Sequence, residues 1–159
     1  SDCLVGSEMC IRDSSYYDTQ YEFFIMKYLS GFGKNTYIYS RYKKISKCDE
    51  LIKTVKKEKI LICRGNGRSY CNSSIQPKLT IKLKEFNKII NLNKNKNIIK
   101  VQSGLKLFEL INYLKNKNYF IPVTPGTKFV TIGGMLASDI HGKSDHLTGS
   151  ISNLSLIHI

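Results

Sequence analysis

The sequence predicts an α+β fold in which short strands and two short helices share one core. Two stretches place apolar residues at offsets of three, four and seven, the spacing of one helix face. Four other stretches are short apolar or alternating runs, which are typical of strands. A chain of 159 residues has room for one domain with its own core, and hardly for two.

The first predicted helix starts near residue 48. Cys48, Leu51, Ile52 and Val55 lie on one face, while the lysines between them face water. Residues 60–63 then form a continuous apolar run that ends just before a glycine, which predicts a strand buried on both faces. We expect the two cysteines in these elements to act as small apolar side chains.

Three further strands and a second helix follow. Residues 79–83 alternate apolar and polar side chains, and residues 98–102 form another strand after a polar turn. Leu107, Leu110, Ile111 and Leu114 have helical spacing, and residues 119–123 return as a strand that leads into a Pro-Gly turn. The predicted order is helix, strand, strand, strand, helix, strand.

Both ends of the chain have an unusual composition. Residues 1–13 and 154–159 resemble translated sequencing-adapter read-through, so we expect them to be non-native and residues 14–153 to be the natural segment. No apolar run is long enough to span a bilayer and no leader for export is present, so we expect a cytoplasmic protein.

The formal net charge of +13 raises the possibility of nucleic-acid binding. Of the 25 basic residues only four are arginines, and the lysines are spread among asparagines and isoleucines, a pattern typical of a solvated surface. We therefore predict no nucleic-acid partner. The five cysteines contain no Cys-x-x-Cys pair and are odd in number, so we predict neither a metal site nor a disulfide framework.

A glycine loop follows the first predicted strand, with the sequence RGNGRSY at residues 64–70. Its glycines permit positive φ and close approach of an anion, and its arginine and serine side chains add charge and a hydroxyl donor. A plain turn with two glycines is the alternative. A nicotinamide-binding GxGxxG is excluded because Tyr70 stands where the third glycine is needed. The later ASDIHGKS at 137–144 only mimics a phosphate-binding loop, because Asp139 would place a negative charge in it.

A second group of small residues comprises PGT at 125–127, TIGG at 131–134 and DIHGK at 139–143. Thr131 can cap a short helical turn whose free N–H groups face an anion, and Gly133 and Gly134 would let a flat ring or a phosphate approach the backbone. A glycine-rich connector is the alternative. His141 has a comparable ambiguity between a structural and a catalytic role.

Taken in this order, the four motifs resemble the FAD-binding, PCMH-type domain of the vanillyl-alcohol oxidase and p-cresol methylhydroxylase superfamily. Within it they are similar to the decaprenylphosphoryl-ribose oxidase-like FAD-linked oxidoreductases, and the resemblance spans about residues 34–150. It implies a first α/β subdomain plus the start of a second, truncated one, with FAD between them. The cofactor-binding residues that it implies are Arg64, Gly65, Asn66, Gly67, Arg68, Ser69, Tyr70, Pro125, Gly126, Thr127, Thr131, Gly133, Gly134, Ala137, Ser138, His141 and Gly142.

The same resemblance implies how the cofactor is attached and used. Several relatives bind FAD covalently through a histidine in the first loop, and Arg68 fills that place here, which implies non-covalent FAD. Cys71 stands where relatives have a glycine. Tyr70 and His141 match positions near the flavin and substrate, and Lys143 would add positive charge. The base that accepts the hydroxyl proton is expected outside this chain, which is then inactive by itself.

The implied function is an FAD-dependent oxidoreductase acting on a CH–OH group, with hydride transfer from a sugar or lipid-linked sugar to the flavin. A lipid-linked substrate would allow peripheral membrane association. Aldonolactone, alditol and 2-hydroxy-acid oxidation are alternatives within the superfamily. A non-catalytic basic binding module is the alternative from a different class, and it would leave both glycine loops without a role.

Overall fold

A computed structural model describes residues 24–142 and 149–154 and confirms the α+β class. The six strands are β1 Ile25–Ser30, β2 Tyr37–Lys44, β3 Ile62–Arg64, β4 Thr80–Lys82, β5 Ile89–Asn93 and β6 Ile98–Val101. The three helices are α1 Cys48–Lys57, α2 Leu107–Lys115 and α3 Ile132–Ala137, and a 3₁₀ turn follows at Ile151–Leu154. The expectation for residues 1–13, and that for residues 154–159 beyond its first residue, lie outside the described residues.

A four-stranded sheet has the strand order β1-β2-β4-β3. The β1 and β2 strands form an antiparallel hairpin, whereas β2, β4 and β3 are parallel. One face packs on α1 through a core of Ile45, Leu79, Ile81 and Phe86. The opposite face is covered by the segment after the first glycine loop, where Ile75 contacts Leu29 and Tyr42. The connections between the parallel strands therefore run over opposite faces of this sheet.

A second unit is built on the antiparallel hairpin β5-β6 and the helix α2. Leu105, Leu110 and Leu114 form its core against the apolar side chains of the two strands. At the start of the helix the Glu109 carboxylate accepts the backbone N–H of Lys106 at 3.1 Å. A neighbouring core of Leu107, Val123, Met135 and Ile151 joins α2 to α3.

The predicted helices and the strands at 79–83 and 98–102 are confirmed, but three details were wrong. Residues 119–123 are irregular chain, in which buried Val123 packs on α2 and α3 without a strand partner in the described part of the chain. The β3 strand is an edge strand with Cys63 exposed, since only β4 pairs with it. The pattern also missed β1, β2 and β5, whereas the short helical turn expected after Thr131 is present as α3.

The buried face of α1 differs from the predicted one. Cys48 is exposed, and Ile52 and Val55 are each about half exposed, while Thr54 is fully buried. Thr54 accepts a hydrogen bond from buried Lys43 at 3.4 Å, and the same ammonium pairs with a glutamate of the helix. The polar contacts of Lys43 with α1 therefore determine which face of the helix packs on the sheet. Hydrophobic periodicity cannot predict such a contact.

Candidate functional site

The first glycine loop leaves the carboxyl end of β3 and turns sharply at Gly67, where φ is +64°. The positive φ favours glycine, and a Cβ at this position would lie 2.5 Å from Arg64 Nη2 and would displace the guanidinium. The Arg64 guanidinium lies beneath the loop, donating to the Ser30 carbonyl at 2.7 Å and to Ser74 Oγ at 2.9 Å. Arg64 therefore supports the loop from inside the protein.

The backbone of this loop retains its hydrogen-bonding capacity. Among the described residues, none of the N–H groups of residues 65–70 donates a hydrogen bond to another protein group. Consecutive unused N–H groups in a glycine turn form the kind of nest that binds an anion. A buried or half-buried N–H group without a partner is costly, so a ligand that accepts these bonds would stabilise the loop.

A cavity of about 290 Å³ separates the first loop from α3. Residues 65–70 line one side, and Thr131, Gly134 and Ser138 line the other, with Met135 and Ile140 contributing apolar surface. This volume is at the lower end of those of ligand sites, about 300–1,000 Å³, and suits a diphosphate with part of its nucleotide. The cavity thus brings together the two motif groups that the sequence singled out.

Close contacts join the two walls of the cavity. A Cβ built on Gly65 would overlap Thr131 Oγ1, so this glycine lets the loop lie directly against the start of α3. Asn66 Nδ2 also donates to the Phe129 carbonyl at 2.8 Å. These contacts link residues more than sixty positions apart, and together they set the width of the cavity.

Arg68 is held between two aromatic rings that motif analysis missed. Its guanidinium carbon lies 5.4 Å from the ring centre of Phe32 and 5.9 Å from that of Phe129, within the range of cation–π attraction. The Phe32 N–H donates to the Ser69 carbonyl, so the turn after β1 is fixed to the loop. Arg68 has no ion pair with any described acidic residue, which leaves its charge available to an anion. A Phe between two glycines gave no separate signal in the sequence.

The start of α3 differs from expectation. Thr131 caps the helix by accepting the Gly134 N–H at 3.3 Å, but Ile132 N–H donates to Leu105 O and Gly133 N–H to Ser103 O, both at 2.8 Å. The expected free N–H groups are therefore occupied. A Cβ on Gly133 would lie 2.7 Å from that of Ser103, so this glycine accommodates protein packing, while Gly134 lines the cavity.

The remaining predicted site residues fall into three groups. Tyr70 stands at the cavity rim with its side chain 82% exposed. Residues 125–127, Ala137, His141 and Gly142 do not line the cavity, and His141 is an exposed residue in a bridge with Ser150. Lys143 lies outside the described residues. The structure therefore brings the first loop together with Thr131, Gly134 and Ser138 around one cavity. The roles of the remaining predicted site residues stay predictions.

Cys71, which stands where the family resemblance implies a glycine, adopts a backbone conformation that favours glycine. Its φ is +51°, the left-handed conformation that glycine adopts without strain. The Cys71 carbonyl packs directly on Gly31, where any Cβ would overlap it, and the next residue, Asn72, accepts the Gly31 N–H at 3.1 Å. These contacts with the turn after β1 hold the strained residue in place.

Comparisons with known proteins agree with this geometry. A family model described as FAD binding domain matches residues 39–156. The decaprenylphosphoryl-β-D-ribose oxidase of Mycolicibacterium smegmatis is 36% identical over 94 residues, covering 58% of this chain and 20% of the relative. The D-arabinono-1,4-lactone oxidase of Candida glabrata is 24% identical over 128 residues, covering 74% of this chain and 24% of the relative.

The fold is also shared with solved structures. A solvent-stable cholesterol oxidase superposes with a TM-score of 0.67 at 17% identity, covering 84% of this chain and 29% of that one. At this identity the likeness shows the fold alone. The chain spans about a fifth to a quarter of the length of the two curated relatives. Within the described residues, no helix is long and apolar enough to cross a membrane, and no cluster of metal-ligating side chains occurs.

Proposed function

This chain belongs to the FAD binding domain family of oxidoreductases, and from that premise we propose that it binds the diphosphate of FAD in the cavity between the first loop and α3. The observation that carries the proposal is the run of unused backbone N–H groups at residues 65–70, beside the exposed guanidinium of Arg68. Such donors favour a diphosphate over a neutral ligand, because each bond to a charged oxygen is charge-assisted.

The direct experiment is titration of the 159-residue chain with FAD, followed by flavin fluorescence. Gly67→Ala places a side chain at a φ of +64° and 2.5 Å from Arg64 Nη2, so we expect FAD affinity to fall at least ten-fold. Gly33→Ala is the matched control, since its Cβ would only reach ordinary contact with Asn35 at 3.4 Å. Equal FAD affinity in the two variants and the parent would remove the first loop from the site.

We further propose that FAD is held without a covalent bond. The support is Arg68 at the loop position where, by the family resemblance, other members carry an attaching histidine, because a guanidinium is not a nucleophile at neutral pH. Acid precipitation of the flavin-loaded protein should release all of the flavin into solution. Yellow colour that stays with the precipitated protein would contradict non-covalent attachment and leave the diphosphate site untouched.

The proposed reaction of the whole protein is oxidation of a CH–OH group of a sugar or lipid-linked sugar. FAD supplies a ring that accepts a hydride when it is bound. We propose that Tyr70, which lines the cavity with an exposed side chain, contacts the substrate or the ring. His141 and Lys143 are proposed beside it from sequence alone, and the base is proposed to lie beyond this chain. The names of the two curated relatives support a sugar-type substrate.

Dye reduction by the full-length protein from the same gene tests the substrate class. The panel contains a pentose derivative, an aldonolactone, an alditol and a 2-hydroxy acid. Turnover with the pentose derivative supports the proposal. Turnover with the aldonolactone alone would favour the second candidate, which rests on likeness to the D-arabinono-1,4-lactone oxidase. A protein that binds FAD but reduces no dye with any of the four would refute the substrate proposal while leaving the cofactor site standing.

A further inference from the structure

One face of the hairpin β1-β2 is only partly covered by the helix α1. Side chains two apart on a strand point the same way, so Tyr37, Tyr39 and Arg41 of β2 share this face. Arg41 pairs with Glu58 at the end of α1, at 3.4 Å. The helix therefore covers the face as far as Arg41, and the part nearer the hairpin turn is exposed.

Four large side chains occupy the uncovered part, which we call the hairpin face: Met26 and Tyr28 of β1, and Tyr37 and Tyr39 of β2. They are between 45% and 67% exposed. Tyr28 is in register with Tyr39, and the centres of their rings are 4.8 Å apart. Single exposed apolar side chains are normal on a protein, whereas a contiguous group of this kind marks an interaction surface.

The hairpin around this face is positively charged. Residues 24–47 contain five lysines, one arginine and no acidic residue. Lys27 and Lys34 are exposed, and neither has an ion pair with a described acidic residue. A second copy of the chain would bring a net charge of +13 to a surface that is itself positive, so charge complementarity favours an anionic partner over self-association.

Two observations favour an anionic lipid surface over a nucleic acid. Arg41, the one arginine of the hairpin, is already paired with Glu58. The rings of Tyr28 and Tyr39 pack on each other at 42°, so they do not form open parallel platforms for bases. At a lipid surface, tyrosine rings lie at the level of the headgroups, the Met26 side chain can enter the acyl boundary, and lysines attract anionic headgroups.

We propose that the hairpin face docks the protein on a membrane surface rich in anionic lipids, with Lys27 and Lys34 at the headgroups. The Phe32 N–H donates to the Ser69 carbonyl, so the turn of the hairpin is fixed to the first loop. Docking therefore holds the first loop close to the membrane, where a lipid-linked substrate lies. This last consequence alone rests on the proposed function.

Co-sedimentation of the 159-residue chain with vesicles tests the docking. The vesicles contain equal parts of phosphatidylcholine and phosphatidylglycerol, or phosphatidylcholine alone. The tyrosine variant combines Tyr28→Thr with Tyr39→Thr, because threonine retains a preference for strands. We expect it to bind the anionic vesicles roughly five- to ten-fold more weakly than the parent, through loss of aromatic surface. Phe120→Thr is the matched control, since Phe120 is 66% exposed and lies outside the hairpin.

The lysine variant, Lys27→Gln with Lys34→Gln, tests the charge and serves if the tyrosine variant does not fold by circular dichroism. We expect it to bind anionic vesicles roughly ten-fold more weakly than the parent. Its matched control is Lys53→Gln with Lys56→Gln, two exposed lysines of α1.

A tryptophan reporter measures the depth of insertion, because the chain contains no tryptophan of its own. With anionic vesicles, the emission of Tyr28→Trp should shift to the blue and be quenched by brominated phosphatidylcholine. The emission of Phe120→Trp should do neither. Quenching distinguishes entry into the lipid from attraction of the whole positive chain to the vesicle surface.

Three vesicle results would overturn the proposal: equal binding to the two kinds of vesicle, equal binding by each variant and its matched control, or Tyr28→Trp emission that the vesicles leave unchanged. Sedimentation velocity and titration with a single-stranded oligonucleotide examine other occupants. A dimer lost in the tyrosine variant would identify a second copy on the hairpin face, and oligonucleotide binding lost in that variant would identify a nucleic acid; either result overturns membrane docking.

FAD titration separates this proposal from the proposed function. The tyrosine and lysine variants should bind FAD as the parent does, because none of the substituted residues lines the cavity. A chain that binds vesicles through the hairpin face but binds no FAD would refute the proposed function and leave the docking surface standing. A chain that binds FAD but no anionic vesicles would refute the docking alone.

Discussion

Replacing Gly65 by alanine should force apart the two loops that enclose the cavity. The new Cβ would overlap Thr131 Oγ1 and lie 3.2 Å from both Thr131 Cβ and Cγ2. Thr131 is buried and caps α3, so it has little freedom to move aside. Overpacking of this kind costs about 1–3 kcal/mol, and we expect Gly65→Ala to reduce the free energy of unfolding by about 2 kcal/mol.

Combining Gly65→Ala with Thr131→Ala tests whether the Thr131 side chain is the cause of this cost. Alone, Thr131→Ala removes the cap of α3 and should cost about 1 kcal/mol. In the double variant the overlapping oxygen is gone and the nearest Thr131 atom that remains is Cβ, at 3.2 Å from the new methyl group. The double variant should therefore be about as stable as Thr131→Ala, which corresponds to a coupling of about 2 kcal/mol, the whole cost of Gly65→Ala.

Urea unfolding of the parent, both single variants and the double variant measures this coupling. Gly33→Ala is the control, because the nearest described atom to its Cβ would be Asn35 Oδ1 at an ordinary 3.4 Å, and we expect a change within about 0.5 kcal/mol. FAD titration of the same set should follow the same order, since widening the cavity misplaces the first loop. Additive costs in the double variant would show that Gly65 and Thr131 are not in the contact described here.

Three further predictions follow from individual contacts. Arg68→Ala should weaken FAD binding roughly ten- to a hundred-fold in a fluorescence titration, through loss of a charge-assisted contact. Phe32→Leu should weaken FAD binding about two- to five-fold in the parent chain but not in the Arg68→Ala variant, because the Phe32 ring acts only by positioning the Arg68 guanidinium. An equal loss of affinity in both backgrounds would show that Phe32 does not act through Arg68. Although burial opposes ionisation of Glu109, hydrogen bonds from the Lys106 backbone and ammonium hold its pKa below the ordinary 4.5. The ionised carboxylate of Glu109 therefore stabilises the folded state above pH 4.5, and this stabilisation is lost as the pH falls through the lower pKa of the folded state. Glu109→Gln should make the free energy of unfolding less dependent on pH below 4.5, as measured by acid titrations monitored by circular dichroism.

Local patterns in the sequence were sufficient for the helices α1 and α2, for the strands β4 and β6, and for the first glycine loop. Each of these depends on interactions within about ten residues: one helix face, one alternating strand, or one backbone turn that needs glycine at Gly67. The FAD-binding domain was indicated by the resemblance of the ordered motif series to a known family, before any contact was known. The small residues of this series mark where backbone must approach something closely.

Contacts between distant parts of the chain decided the rest. The β2 strand has a mixed pattern of tyrosines, lysines and serine that gave no strand signal, and it forms because β1 and β4 pair with it. The sequence motif predicts that Gly133 contacts a ligand, but in the structure Gly133 packs against Ser103. Gly65 likewise packs against Thr131. Similarly, Tyr28 and Tyr39 are two ordinary tyrosines among ten until register places them side by side. Composition and periodicity reflect the local conformational preference of each residue. The contacts that override this preference join residues distant in sequence, so they form only when the strands pair and the loops pack together.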